Sequence, residues 1–434
     1  MNRELSLKRY LFSLLILAAC GGSDGPSEPG PGPGPGPTPL DVPLTGQAVP
    51  GMESFDRVIS DLMKKHKVPG GAVSVVKDGK LVYARGFGYA DVENKVTVAP
   101  HALFRTASVS KPITAVAILK LVEANKLDLT QKVLPLISDL QPPAGTTMDP
   151  RWQNITIRHL LQHTGGWDRD RPGGFDPMFR PGTAAAAVGA SAPASAEIVI
   201  RYMLGQPLDF DPGTRHVYSN FGYAILGRVI ERVSGMTYES YVKTAVLAPA
   251  GITTMQIGRT RFSQRATNEV KYYQPGSETV NVDLVPSVFP GEGQVPSIYG
   301  GFHVEAMDAH GGWLASAVDL ARFGVVTDGR PTPADIISAG SIIEMTNRNS
   351  QVWPTGTSWY GFGWGVRPPP QDNWWHGGSL PGSSSILVRS YHGFTWAAVF
   401  NARTANLATE LDQAMWTALA DVSTFPSHDL FPQF

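Results

Sequence analysis

The tetrapeptide Ser-Val-Ser-Lys at residues 108–111 places a hydroxyl and an amine three residues apart, immediately before the mostly apolar run 112–122. Residues three apart share one face of a helix, so the Lys111 amine comes within hydrogen-bond reach of the Ser108 hydroxyl. Because proline is tolerated only in the first turn of a helix, Pro112 predicts that Ser108 lies at the helix start, where backbone N–H groups favour developing negative charge. The segment therefore predicts a helix that carries a serine nucleophile and its base.

A capping serine followed by a solvated lysine would give the same spacing, so the prediction depends on segments further along the chain. The first is Tyr218-Ser219-Asn220. A tyrosine phenol has an ordinary pKa near ~10, and a neighbouring ammonium group is expected to lower it, so Tyr218 can serve as a general base and later as an acid. The Asn220 amide offers a donor and an acceptor, which suits it to hold Lys111 and a substrate amide. The alternative is that Tyr218 is a core aromatic residue.

The second segment is His376-Gly377-Gly378-Ser379, which follows two tryptophans. Two glycines allow a ligand to approach the backbone closely at the edge of a strand. The N–H groups of Ser108 and Ser379 are therefore predicted to form an oxyanion hole.

In this order, Ser-x-x-Lys, Tyr-x-Asn and His-x-Gly resemble the motifs of the serine beta-lactamase, penicillin-binding protein and esterase superfamily, on its class C and D-peptidase side. The resemblance covers roughly residues 50 to 420 and includes three further segments, at 155–166, 311–323 and 360–365. It implies catalytic roles for Ser108, Lys111 and Tyr218, and no cofactor.

The resemblance implies an α/β (α+β sandwich) fold in which an antiparallel sheet is flanked by terminal helices and carries a mainly helical insertion, over residues 41–434. The residue pattern agrees with this arrangement, because apolar positions recur at helical spacing near both ends of that region. We predict helices around 52–63 and 407–419, a hairpin of 72–77 with 81–89, and strands at 386–389 and 395–400.

The histidine at position 376 departs from the family pattern, and this departure affects which substrates the site is expected to bind. Many members have a lysine at the position of His376, and that cation attracts the carboxylate of the substrate. Histidine is only partly protonated near neutral pH, so His376 is expected to be a weaker carboxylate clamp and a better hydrogen-bond donor. We assign substrate binding to Asn220 and the His-Gly-Gly segment, and also to Trp167 and Asp168, which can equally be core residues.

The resemblance and these departures together predict a serine hydrolase that works through an acyl-enzyme on small esters or on peptides and amides with D-residues. Two alternatives remain: a class C-like beta-lactamase, and a penicillin-binding or sensing protein with very slow turnover.

The N-terminal region predicts export. Residues 1–19 combine three basic residues with a short apolar stretch, which is typical of a signal peptide. They end before Cys20, the sole cysteine, in a sequence that looks like a bacterial lipobox; a free cysteine after an ordinary signal is the alternative. Residues 20–40 are rich in glycine and proline and predict a disordered tether. We therefore expect a membrane-anchored lipoprotein, periplasmic or at the cell surface, with Cys20 lipidated.

Composition argues against other partners. The net charge is −1 and charged residues make up 17% of the chain, so the sequence predicts no basic patch that could bind nucleic acid. The ten histidines show no His-Glu-x-x-His pattern, and no metal site is predicted. We interpret His159 and His163 as structural residues.

Overall fold

The computed structural model describes residues 42–370 and 372–434, and its largest element is a nine-stranded sheet whose neighbouring strands all run antiparallel. Numbered in chain order, the strands follow one another across the sheet as β1 (Leu44–Thr45), β3 (Lys80–Asp91), β2 (Gly70–Lys77), β14 (Phe394–Phe400), β13 (Ser383–Arg389), β12 (Trp374–Leu380), β11 (Gly365–Val366) and β10 (Trp359–Tyr360), while β4 (Val96–Thr97) pairs with β3 outside this path.

The β2–β3 hairpin is confirmed and has a local cause. Asp78 and Gly79, which connect the strands, both have positive φ values, of 49° and 80°. A two-residue turn with two positive φ values matches the twist of the flanking strands, and Asp-Gly is among the sequences that favour it. The strands predicted at 386–389 and 395–400 are also present, as the longer β13 and β14.

The two terminal helices, α1 (Glu53–His66) and α11 (Leu407–Ala420), pack side by side on one face of the sheet. Alternate side chains of the strands reach this layer, for example Val73 and Val75 of β2, because successive residues of a strand point to opposite faces. Their apolar partners include Phe55 and Met415, which are fully buried. The helices predicted around 52–63 and 407–419 are therefore confirmed.

The opposite face carries the mainly helical region, which lies between β4 and β10 in the chain. Its helices are α2 (Ser110–Glu123), α3 (Ile157–Leu161), α4 (Pro181–Val188), α5 (Ala196–Leu204), α6 (Asn220–Ser234), α7 (Tyr238–Val242), α8 (Asp308–Gly311), α9 (Ala317–Val325) and α10 (Ala339–Thr346). Two small sheets belong to this region: β5 (Phe104–Arg105) and β6 (Gln256–Ile257) pair with β9 (Trp313–Ala315), and β7 (Leu284–Pro286) pairs with β8 (Gln294–Pro296).

The helical region and the sheet share one large apolar core. Helix α2 lies at its centre, and its side chains are buried on every face from Ser110 to Leu119. The predicted arrangement, an antiparallel sheet with terminal helices and a helical insertion, is thus confirmed.

The predictions for residues 1–40, namely the signal peptide, the lipidated Cys20 and the tether, fall outside the described residues. Within 42–370 and 372–434, no helix combines the length and apolar character needed to cross a membrane.

Candidate active site

Ser108 lies in a one-turn 3-10 helix, Ala107–Val109, that joins strand β5 to helix α2. Helix α2 itself begins at Ser110, so Pro112 falls in its first turn as predicted and Ser108 lies just ahead of the helix. Ala107 has a φ of 47°, a left-handed backbone that is unusual for a residue other than glycine. Ser108 therefore follows directly on a strained residue, and such strain is common at functional sites.

The amine of Lys111 is fully buried and lies next to three oxygen atoms. Its Nζ is 3.0 Å from Ser108 Oγ, 2.8 Å from Asn220 Oδ1 and 2.9 Å from the carbonyl oxygen of His310. The last two oxygens can only accept a hydrogen bond, whereas the serine hydroxyl can also donate one. An ammonium group can donate to all three oxygens, whereas a neutral amine donates to Asn220 and His310 and leaves its lone pair to accept from Ser108.

The electrostatic surroundings favour that neutral form. Burial, followed by the nearby Arg169 guanidinium, holds the pKa of Lys111 well below its ordinary value, and the Asp176 carboxylate opposes them. A desolvated amine with a lowered pKa is a competent general base near neutral pH.

Tyr218 and Asn220 reach the site because Ser219 between them caps helix α6. The Ser219 hydroxyl accepts from the N–H of Gly222 at 3.1 Å, a standard way to satisfy a free donor at a helix start. This cap places Asn220 in the first turn and leaves Tyr218 just before it, with its ring 4.7 Å from Lys111 Nζ.

The expected effect on the pKa of Tyr218 is wrong in direction. Its hydroxyl is hydrogen-bonded to Ser108, but burial is the larger influence and raises the pKa of Tyr218 above its ordinary value. The expectation assumed a charged lysine beside the ring, whereas the buried Lys111 amine favours its neutral form. Tyr218 therefore keeps its proton and can donate it, while Lys111 is the better base.

Behind Tyr218 lies a layer of buried aromatic and imidazole rings. The His163 ring is 4.4 Å from the ring of Tyr218 and 4.5 Å from that of Tyr360. Its Nδ1 accepts from the N–H of Ser219, and burial lowers the pKa of His163 well below its ordinary value. His159 forms a capping box with Thr156 at the start of α3. Both histidines thus occupy structural positions.

Strand β12 lies against the 3-10 helix Ala107–Val109, which carries Ser108. Strand β11 pairs only with Trp374 and Trp375, so the later residues of β12 have a strand partner on one side only, β13. A Cβ atom added to Gly378 would overlap the carbonyl oxygen of Thr106 and the Ser385 hydroxyl, so only glycine allows this approach. The strand that carries Ser379 is therefore held close to Ser108; that their N–H groups form the oxyanion hole stays a prediction.

His376 is buried and both of its ring nitrogens have protein partners. Nε2 is 2.9 Å from the Tyr360 hydroxyl and Nδ1 is 2.7 Å from the carbonyl oxygen of Gly377. Burial, followed by the nearby Lys111, lowers the pKa of His376 to about 3. The ring is therefore uncharged at neutral pH, which goes further than the expected partial protonation.

A cavity of about 120 Å³ adjoins Tyr218 and Asn220. Its apolar lining includes Trp167, whose ring also packs 4.7 Å from Phe221. Asp168 lines the same cavity and forms an ion pair with Arg215 at 2.6 Å. The structure thus brings Trp167 and Asp168 beside Tyr218 and Asn220, while their contact with substrate stays a prediction.

Several residues that the sequence did not single out complete the site: Arg169, Asp176, Tyr360 and the carbonyl group of His310. Arg169 and Asp176 lie seven residues apart in the loop after Trp167, and no spacing rule links them to Tyr218 or Asn220. Tyr360 opens one of the segments that carried the family resemblance, which was the available signal. Within the described residues, no group of three or more His, Cys, Asp or Glu side chains is placed to hold a metal ion.

Comparison with known proteins identifies the same family independently. The Beta-lactamase family model matches residues 55–420. Penicillin-binding protein 4* of Bacillus subtilis is 29% identical over 337 residues, which are 76% of this chain but only 66% of that protein, slightly under two thirds of its length.

Solved structures of similar fold include the octameric penicillin-binding protein homologue from Pyrococcus abyssi, with a TM-score of 0.64 and 25% identity over 84% of this chain and 77% of that one. The D-amino acid amidase from Ochrobactrum anthropi SV3 has a TM-score of 0.63 and 20% identity, over 86% of this chain and 98% of the amidase chain.

Proposed function

The chain belongs to the beta-lactamase family of serine hydrolases, and from this premise we propose that it cleaves small esters, or amide bonds next to D-residues, through an acyl-enzyme on Ser108. One observation carries the proposal. The buried Lys111 amine is 3.0 Å from Ser108 Oγ, and its two other partners, Asn220 Oδ1 and the His310 carbonyl oxygen, can only accept.

In the proposed acylation step, the Lys111 amine takes the proton of Ser108 as Oγ attacks the substrate carbonyl carbon. The negative charge that develops on the carbonyl oxygen is stabilised by the N–H groups of Ser108 and Ser379. The proton then passes to the leaving group from Lys111 or through the Tyr218 hydroxyl, which burial keeps protonated. Water attacks the resulting ester in the second step and releases Ser108.

The choice of substrate class rests on the charge of the cleft. Beta-lactam drugs carry a carboxylate, and the family position that often holds a cation for it is occupied here by His376, whose pKa is lowered to about 3. The guanidinium of Arg169, which lines the cavity beside Tyr218, is already paired with Asp176 at 3.0 Å. Uncharged esters and amides therefore suit the site better than beta-lactams.

The test compares two serines of the same tetrapeptide. Ser108→Ala should abolish turnover of a 4-nitrophenyl ester, whereas Ser110→Ala should retain it, because the Ser110 hydroxyl is buried against Thr106 and the N–H of Trp313. Thermal unfolding of both variants controls for folding. Retained turnover by the Ser108 variant would overturn the assignment of the nucleophile.

A penicillin-binding role with slow turnover is the second candidate, favoured by the similarity to penicillin-binding protein 4*. Intact-protein mass spectrometry with a fluorescent penicillin separates the possibilities. A long-lived adduct supports penicillin binding, and rapid consumption of the drug supports a beta-lactamase. Fast release of nitrophenol from the ester without any penicillin adduct supports the proposed esterase or amidase.

A further inference from the structure

The loop that follows Trp167 brings a carboxylate into contact with the catalytic amide. Asp176 uses its two oxygens for different purposes: Oδ1 accepts from the N–H of Met178 at 3.1 Å and caps a short 3-10 turn. Oδ2 accepts from Asn220 Nδ2 at 2.6 Å and from Arg169 Nη1 at 3.0 Å. Only 12% of the Asp176 side chain is exposed, so water competes little for these contacts.

These contacts fix which way the amide of Asn220 faces. Its NH2 group donates to Asp176, and its oxygen accepts from Lys111 at 2.8 Å. The reversed amide would place its NH2 group against the lysine N–H groups and its oxygen against a carboxylate, which replaces two hydrogen bonds by two repulsive contacts. Asp176 therefore selects the orientation that leaves the lone pair of Lys111 for Ser108.

Arg169 links this carboxylate to the catalytic tyrosine. Its guanidinium carbon is 5.1 Å from the centre of the Tyr218 ring, while Nη1 holds Asp176. A cation near an aromatic face is attracted to it, so Arg169 contacts both members of the Tyr-x-Asn motif, one directly and one through Asp176.

We propose that Asp176 and Arg169 are positioning residues of the reaction: Asp176 holds the Asn220 amide toward Lys111, and Arg169 holds Asp176 and the ring of Tyr218. The inference rests on the proposed function and deepens it, because it identifies which residues outside the three motifs align the base. Neither residue touches Ser108 in the described contacts, so neither is assigned a catalytic role.

The two residues act on the base with opposite charges. The other titratable groups around the amine are buried tyrosines with raised pKa values and buried histidines with lowered pKa values, and are thus uncharged: Tyr218, Tyr223, His163, His310 and His376. Arg169 lowers the pKa of Lys111, and Asp176 raises it. Removing one or the other must therefore move the titration of the base in opposite directions.

The experiment measures kcat/KM for a 4-nitrophenyl ester against pH in the full chain. Asp176→Ala removes the carboxylate, so the Asn220 amide and the Arg169 guanidinium lose the acceptor that they share. We expect kcat to fall on the order of 10²-fold with a smaller change in KM, because a misplaced base slows the chemical step. The acid limb of the profile should move to lower pH, since the carboxylate that raised the pKa of Lys111 is gone.

Arg169→Gln should move the acid limb to higher pH, because a cation that lowered the pKa of Lys111 is removed. Arg171→Gln is the control for loss of a cation: Arg171 lies in the same loop, lines the same cavity and pairs with Asp209 at 2.6 Å, but is not among the charges that act on Lys111. The position of its acid limb should equal that of the parent protein.

The outcomes separate the two proposals. Opposite shifts of the acid limb in the Asp176 and Arg169 variants support positioning. Shifts in the same direction, or profiles like that of Arg171→Gln, overturn the positioning role while ester turnover still depends on Ser108. If Ser108→Ala keeps its turnover, the proposed function itself fails. Thermal unfolding identifies a variant that does not fold. If one of the Asp176 and Arg169 variants fails to fold, the other still reports the direction in which its acid limb moves.

Discussion

Replacing Gly378 with alanine tests whether the close contact between strand β12 and the turn that carries Ser108 is needed for the proposed catalysis. The added Cβ would overlap the carbonyl oxygen of Thr106 and the hydroxyl of Ser385, and would lie 3.2 Å from the Cβ of Ala107. The hydroxyl of Ser385 can rotate away, but the Thr106 carbonyl group belongs to buried backbone two residues before Ser108. The strand and the turn must therefore separate by on the order of 1 Å to restore normal van der Waals distances.

The expected cost follows from that displacement. A misplacement of this size in an aligned site lowers the rate on the order of 10²-fold, comparable to the loss of one oxyanion donor. Overpacking of this kind costs about 1–3 kcal/mol of stability, which a protein of ordinary stability survives. We expect kcat/KM for a 4-nitrophenyl ester to fall about 100-fold while the protein still unfolds cooperatively.

Gly377→Ala provides the comparison within the same strand. A Cβ at Gly377 has its nearest neighbour, the carbonyl oxygen of Ser385, at 3.9 Å, which is an ordinary contact. This variant should lose less than about tenfold in kcat/KM, a barrier change under about 1.4 kcal/mol. Equal rates for the two alanine variants would refute the argument that the approach of β12 to Thr106 sets the geometry of the oxyanion site.

Three further predictions concern stability, protonation and location. Burial raises the pKa of Asp412 to about 6, so the folded state loses stability as pH rises from about 4 to 6. Asp412→Asn should therefore add up to about 3 kcal/mol to the free energy of unfolding at pH 7 and little at pH 4. Urea unfolding at both pH values measures the difference. An equal gain at both pH values would contradict this. The His376 ring should stay neutral from pH 5 to 8 in an NMR titration, because its pKa is lowered to about 3; a midpoint near 6.5 would show that it is solvated. For the expressed full chain, Cys20→Ala should move the protein from the membrane to the soluble fraction, and unchanged membrane retention would rule out a lipid anchor at this residue.

The elements that the sequence predicted correctly depend on short-range rules. The β2–β3 hairpin follows from the Asp78-Gly79 turn and the alternating strands beside it. Helix α2 and the pairing of Ser108 with Lys111 follow from helical spacing, since residues three apart meet on one face. Such features can be predicted without information about the rest of the chain.

What the sequence could not predict depends on contacts between distant segments. Asp176 meets Asn220 across 44 residues of chain, and nothing in either segment indicates the other. The pKa of Tyr218 was expected to fall because only its neighbours were considered, whereas burial by the folded chain dominates and raises it. Likewise, the partner of His376 Nε2 becomes visible only when Tyr360 is placed beside the strand.

The buried Lys111 amine also has a consequence for how substrates reach the site. In the proposed resting state the serine, lysine and tyrosine of the site carry no formal charge, and the imidazole of His376 carries none either. Electrostatic steering requires a field that extends into the solvent, and dissolved salt screens it within about 10 Å at 0.1 M. The capture of an uncharged ester should therefore depend little on ionic strength.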